Sequence, residues 1–208
     1  MNEITIIAPE LAAGAGGVAD YTLRLVEEWS GRVKPRFILP NDTKTNLRGK
    51  LPASGGKILL QYSAYGFDRI GYPRSLLRTL TEWKKTTGGL LVIMFHEIWA
   101  FWPLLNKNRF VQRMHRADIG HLITQADAVF TSTPSQAEHL LKLAPQCNIQ
   151  CMPVGSNIRR TARLDGPREG GMAILFGLQN ARLKALRKMR ADLSSLAASG
   201  IITKIVTV

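Results

Sequence analysis

The run Leu90-Leu91-Val92-Ile93-Met94-Phe95 contains no polar residue, and this feature most narrows what the chain can fold into. A strand with one wet face alternates apolar and polar side chains. A strand buried on both faces does not, and such strands belong to parallel sheets covered by helices on each side. Shorter β-branched or apolar runs recur at Ile4–Ala8, Phe37–Leu39, Lys57–Gln61, Ala128–Thr131, Ile149–Val154, Met172–Phe176 and Ile202–Val208, with helical patterns between most of them. Strand and helix in alternation predict right-handed βαβ units. The expected fold class is therefore α/β, a doubly wound, Rossmann-like parallel sheet flanked by helices.

The helices announce themselves by apolar stripes. Val18, Thr22, Leu25, Val26 and Trp29 recur at three- and four-residue steps, with Asp20, Arg24, Glu27 and Glu28 on the other side. A second helix is expected from Pro73, aligning Leu76, Leu77, Leu80 and Trp83. A third puts Phe110, Met114, Ala117 and His121 on one face. On that assignment His121 is a core histidine, while His115 and His139 are solvated. The fourth begins with a capping-box pattern: Thr133 as N-cap, Pro134 next, and Gln136 three after the cap.

Residues 1–155 make one domain of ordinary size. Residues 156–170, rich in Gly, Pro, Ser, Asn and charge, read as a linker. Residues 171–208 supply strand, helix and strand, the start of a truncated second α/β domain; its helix spans Arg182–Ala198. So small a unit has too little surface to close its own core, and is expected to lean on the first domain, on another chain or on a continuation.

No apolar run approaches the roughly 20 residues of a membrane span, and the N-terminus lacks a basic region followed by a long apolar one. A cytoplasmic location is the expectation. Cys147 and Cys151 have no second Cys or His pair, so no metal site is expected. The net charge is +13. Residues 159–208 hold ten Lys/Arg against three carboxylates, leaving +7 there and +6 before them. That excess favours anionic partners such as phosphates or a lipid surface. Arg69, Arg74, Arg78, Lys84 and Lys85, with Trp83, form a stretch suited to an anionic membrane surface. No nucleic-acid motif accompanies the charge, and no nucleic-acid partner is expected.

Chemistry is expected at the carboxyl ends of the strands, where open α/β sheets bind ligands. Gly14, Gly16 and Gly17 lie between the first strand and first helix, an arrangement that offers backbone N–H groups to an anion. The same loop allows two other readings, a plain turn and a dinucleotide fingerprint built from Gly14, Gly16, Ala19 and Asp42. His96, Glu97, Trp99 and Trp102 follow the most apolar strand, where they could hydrogen-bond and stack on a sugar or close a structural loop. His96-Glu97 lacks the second histidine of a metalloprotease helix, and no P-loop or nucleophile elbow is present. Gln61-Tyr62-Ser63-Ala64-Tyr65 ends the third strand on the same rim.

Gly16-Gly17-Val18-Ala19-Asp20-Tyr21-Thr22, the His96-Glu97 pair, Ala126-Asp127-Ala128-Val129-Phe130-Thr131-Ser132-Thr133-Pro134-Ser135 and Met152-Pro153-Val154-Gly155-Ser156-Asn157-Ile158 occur in this order. Together they resemble the N-terminal domain of glycosyltransferase family 4, the retaining enzymes of the GT-B fold, over residues 4–158. The resemblance implies a nucleotide-sugar substrate bound between two Rossmann-like domains, with no further cofactor and no metal. It places Gly16 and Gly17 at the donor phosphates or sugar and His96 at the donor sugar as the catalytic position. Tyr62, Tyr65, Glu97, Trp99 and Trp102 fall on the side of a glycan or lipid-linked acceptor. The family's Gly-Arg pair and lysine are replaced by Gly177-Leu178 and Leu183, leaving Arg182 and Lys184 as the donor-binding cations. A second polypeptide that supplies a C-terminal domain, or whose site this chain completes, is a further expectation. The competing expectation is a nicotinamide-dependent oxidoreductase.

Overall fold

The structure, a computed structural model, describes residues 2–12, 16–40, 47–98, 106–154, 170–175 and 179–207. The chain divides into two compact units, Met1–Arg159 and Arg160–Val208. Most of the linker expected over 156–170 lies outside the described residues.

The first unit is α/β, with a six-stranded sheet flanked by helices. Its strands are β1 (Asn2–Ile7), β2 (Val33–Ile38), β3 (Lys57–Tyr62), β4 (Leu90–Phe95), β5 (Ala128–Thr131) and β6 (Ile149–Cys151), in the order β2-β1-β3-β4-β5-β6. Every neighbouring pair is parallel. This is the Rossmann-like arrangement that the apolar runs predict. The register sets Ile38, Ile7, Leu60, Ile93 and Val129 in one row across the sheet, and each is at most 2% exposed.

The chain leaves β1 for the edge strand β2, then crosses back to β3 and continues outward the other way. With right-handed crossovers, that reversal sends the following helices to opposite faces. Accordingly α1 (Gly17–Glu28) packs Leu25 and Val26 on the Ile6, Ala8 and Leu59 face. The short α2 (Ala64–Phe67), α3 (Arg74–Thr87), α4 (Asn106–Gln125) and α5 (Pro134–Leu141) cover the other face through Phe67, Leu77, Leu80, Ile119, Leu122 and Leu140. The reversal point, between β1 and β3, is where sheets of this kind open a crevice at their carboxyl ends.

Four expectations are corrected. β2 begins at Val33 and includes Pro35, earlier than the Phe37 expected, because an edge strand tolerates a residue with no N–H to donate. On α4 the buried stripe runs through His115, Ile119, Leu122 and Ile123, whereas Phe110 is 67% exposed and Ala117 and His121 face solvent. His115, expected to be solvated, is 1% exposed: the phenol of Tyr62 bonds its Nε2 at 2.7 Å, satisfying the imidazole inside the core. The single helix expected over 182–198 is two, α6 (Gln179–Lys188) and α7 (Arg190–Ala198), broken at Met189.

The cap of α5 forms as its sequence predicts. Pro134 opens the helix and the Thr133 hydroxyl accepts the Gln136 backbone N–H at 3.3 Å. Thr133→Ala is expected to lower stability by about 1 kcal/mol, as loss of an N-cap acceptor does. Equal urea midpoints for the two proteins would refute that assignment.

In the second unit β7 (Met172–Leu175) and β8 (Lys204–Thr207) pair in parallel around α6 and α7. No α7 residue is buried, and Ile174, Leu183, Met189, Leu196, Ile201 and Ile205 are exposed. Two strands and two short helices leave much of this apolar surface uncovered.

Candidate functional site

The parallel sheet brings the carboxyl ends of β1, β3, β4 and β5 to one rim. From β1 the chain reaches α1, whose N-cap Gly16 has extended backbone and no side-chain cap. Gly16 and Gly17 are exposed, and a Cβ at either would meet nothing within 4 Å. Neither packing nor backbone geometry demands glycine there; the two residues leave open space beside the uncapped positive end of a 12-residue helix.

His96 follows β4 directly. Its backbone N–H donates to the Tyr62 carbonyl at 2.9 Å, continuing the β3–β4 ladder by one bond. Side chains alternate across a sheet, so Gln61 and His96 share the α1 face with Leu59 and Val92. There His96 Nε2–H donates to Gln61 Oε1 at 2.7 Å, and the Tyr21 ring of α1 meets the imidazole edge-on at 5.1 Å. The helix that opens on Gly16 and Gly17 thus touches the histidine through Tyr21, at the carboxyl-end rim of the sheet. Burial depresses the His96 pKa to about 4, so the ring is neutral at neutral pH, and burial also raises the Tyr21 phenol.

Two glutamines hold this histidine. Gln136 Nε2 donates to the His96 carbonyl at 3.0 Å, while its Oε1 accepts from the hydroxyls of Thr131 at 2.5 Å and Ser132 at 3.1 Å. The capping-box pattern suggests that this side chain turns back to the N-cap; it ties β5 to the turn after β4 instead. Gln61 is fully buried, and its Nε2 is the one buried side-chain N or O atom without a partner among the described residues. Leaving such a donor unpaired costs about 1–3 kcal/mol.

The expected site residues divide. Gly16 and Gly17 open the helix whose Tyr21 ring meets His96. Ser63 Oγ donates to Glu97 Oε2 at 2.8 Å, which fixes the exposed Glu97 at the rim beside β3, and Tyr65 is 47% exposed on α2. Tyr62 does not join them. It is 0% exposed on the α3 and α4 face, with its hydroxyl occupied by His115, because its place in β3 is one residue out of phase with Gln61. Arg182 and Lys184 lie on α6 of the second unit. Trp99 and Trp102, like Gly14 and Asp42 of the dinucleotide reading, fall outside the described residues.

The lipid-facing stretch is also revised. Trp83 is 6% exposed with its indole N–H donating to the Pro52 carbonyl at 2.7 Å. Lys84 is engaged by Asp127 at 2.6 Å. Arg69, Arg74, Arg78 and Lys85 remain exposed, with Arg74 and Arg78 beside Asp118 at 4.0 and 3.7 Å. Among the described residues no helix is long and apolar enough to cross a membrane, and no group of three His, Cys, Asp or Glu is placed to hold a metal.

Chemically, this rim offers a neutral imidazole, a carboxylate beside it and the backbone N–H groups of a helix start without a side-chain cap. Such a set can bind hydroxyls and a phosphate together. No hydroxyl or thiol among the described residues bonds the His96 ring, so a Ser–His type of nucleophile is not assembled there. The chain matches no family model and no curated protein sequence.

Proposed function

We propose that the chain is a glycosyltransferase of the retaining, nucleotide-sugar-dependent kind, and that its first unit forms the acceptor-side wall of the site. The observation that carries the proposal is the contact between α1, which opens on Gly16–Gly17, and His96, whose ring meets that of Tyr21 at 5.1 Å. An open helix start suits the donor's phosphates, and a neutral imidazole beside it suits a sugar hydroxyl. In the transfer, the bond from the sugar's anomeric carbon to phosphate oxygen breaks and one to the acceptor hydroxyl oxygen forms. The acceptor's proton and the nucleotide phosphate leave. Tyr65 and Glu97 border the acceptor side, which would take a glycan or a lipid-linked sugar. With a lipid-linked acceptor, Arg69, Arg74, Arg78 and Lys85 give an electrostatic reason for residence at the cytoplasmic face of an anionic membrane.

The exposed apolar residues of the second unit favour a second reading, in which this chain is a non-catalytic subunit completing another polypeptide's site. Sedimentation of the protein copurified from its source separates the two: a heteromeric complex supports the subunit reading, and a lone monomer that binds donor opposes it. Calorimetric titration with UDP-, GDP- and ADP-sugars tests the leading proposal. One donor class is expected to bind, with affinity reduced about tenfold by His96→Ala, the effect of one lost hydrogen bond. Binding unaltered by His96→Ala, or binding of NAD(H) in place of every nucleotide sugar, contradicts it.

A further inference from the structure

A buried amide whose NH2 group has no partner is a poor choice for stability alone, since an apolar side chain of similar volume fills such a position without an unpaired group. Gln61 occupies it at 0% exposure, on the α1 face of β3, otherwise lined by Leu59, Ile6, Ala8 and Val92. Its one side-chain partner among the described residues is His96, 2.7 Å away. An amide oxygen only accepts, so the bond requires the proton on Nε2. A neutral imidazole carries a single N–H, and Nδ1 is then left with its lone pair. The rest of the turn is held independently of Gln61. The His96 N–H goes to Tyr62, its carbonyl to Gln136 at 3.0 Å, and its ring edge to Tyr21.

We infer that Gln61 is a positioning residue that holds His96 in the Nε2–H tautomer, so that the ring presents Nδ1 as a hydrogen-bond acceptor. The group His96 recognises is then a donor, such as a sugar hydroxyl or an amide N–H. A phosphate oxygen has no proton to give and is left to the helix start at Gly17. The assignment of a sugar hydroxyl rests on the transferase proposal; the tautomer does not.

Nitrogen NMR of the intact protein labelled at histidine tests this without any substrate. In the native protein at pH 7, His96 is expected to show a protonated Nε2 and an unprotonated Nδ1. Gln61→Glu, which keeps an acceptor at that place, retains the pattern. Gln61→Met is expected to give a mixture of tautomers while its melting temperature stays at or above that of the native protein. A native His96 protonated on Nδ1, or a Gln61→Met variant with unchanged nitrogen shifts, overturns the inference. Failure of sugar binding with these shifts intact would count against the transferase proposal alone.

Discussion

Phe95→Ala is expected to destabilise the protein by about 3–5 kcal/mol, the range for truncating a fully buried aromatic side chain. Phe95 is 0% exposed, stands in register with Tyr62 on one side and Thr131 on the other, and packs against the Tyr62 ring at 5.1 Å. Its neighbours are held by the sheet ladder and by the Tyr62–His115 bond, so they cannot collapse far into the space left behind. Domains of this size have a total stability of about 5–15 kcal/mol, so the variant should unfold at a much lower urea concentration. The consequence reaches the site, because Phe95 is the residue before His96 and shares its backbone. A loss under about 1 kcal/mol would show that the Phe95 ring is not an anchor of this core.

Acid should also act strongly, through His115. Burial lowers its pKa from 6.5 to about 4, partly opposed by the carboxylates of Asp118 and Asp68. Between those values the unfolded chain binds a proton that the folded chain refuses, so stability falls as the pH drops through that window. Each pH unit is worth about 1.4 kcal/mol, which gives a loss of about 2 kcal/mol from pH 7 to pH 5 and about 3 kcal/mol by pH 4. His96, depressed in the same direction by burial, adds to the slope. Urea unfolding at pH 7, 6 and 5 reads it, with His115→Gln expected to flatten the curve. Stability constant across that range, or an NMR titration of His115 near 6.5, would contradict the burial of a neutral imidazole there.

The architecture was legible because its signals are local and repeated. Buried parallel strands show as unbroken apolar runs, and each predicted run from Ile4 to Val154 coincides with a strand of the sheet to within a few residues. Except at the crossing from β2 to β3, strands consecutive in sequence also pair in space. Legibility failed where one residue of phase decides an outcome. On α4 the apolar stripe points to His121 as the core histidine and to His115 as a solvated one, and the structure reverses them. Only the tertiary partner Tyr62, distant in sequence, makes position 115 habitable for an imidazole. The same phase effect moved Tyr62 from the rim into the core and put Gln61 beside His96.

The candidate site was visible as a set of turns but not as a network. Gly16–Gly17 and His96 could be placed on one rim from topology alone. Gln61 and Gln136 carried weaker signals, a lone amide ending an apolar strand and a capping-box residue with an obvious local use. Their partners lie 35 and 40 positions away in the chain, a separation that no short motif encodes.

The central claim is that the open start of α1 and the imidazole after β4 bind one ligand, a nucleotide sugar. Chemical-shift mapping of the backbone amides and the His96 ring during a nucleotide-sugar titration tests it directly. Saturable shifts are expected at Gly17, Val18, Tyr21 and His96 with a single dissociation constant, and none at Ile205 of the second unit's apolar surface. Shifts confined to residues away from Gly17 and His96, or different constants for the two, would contradict it.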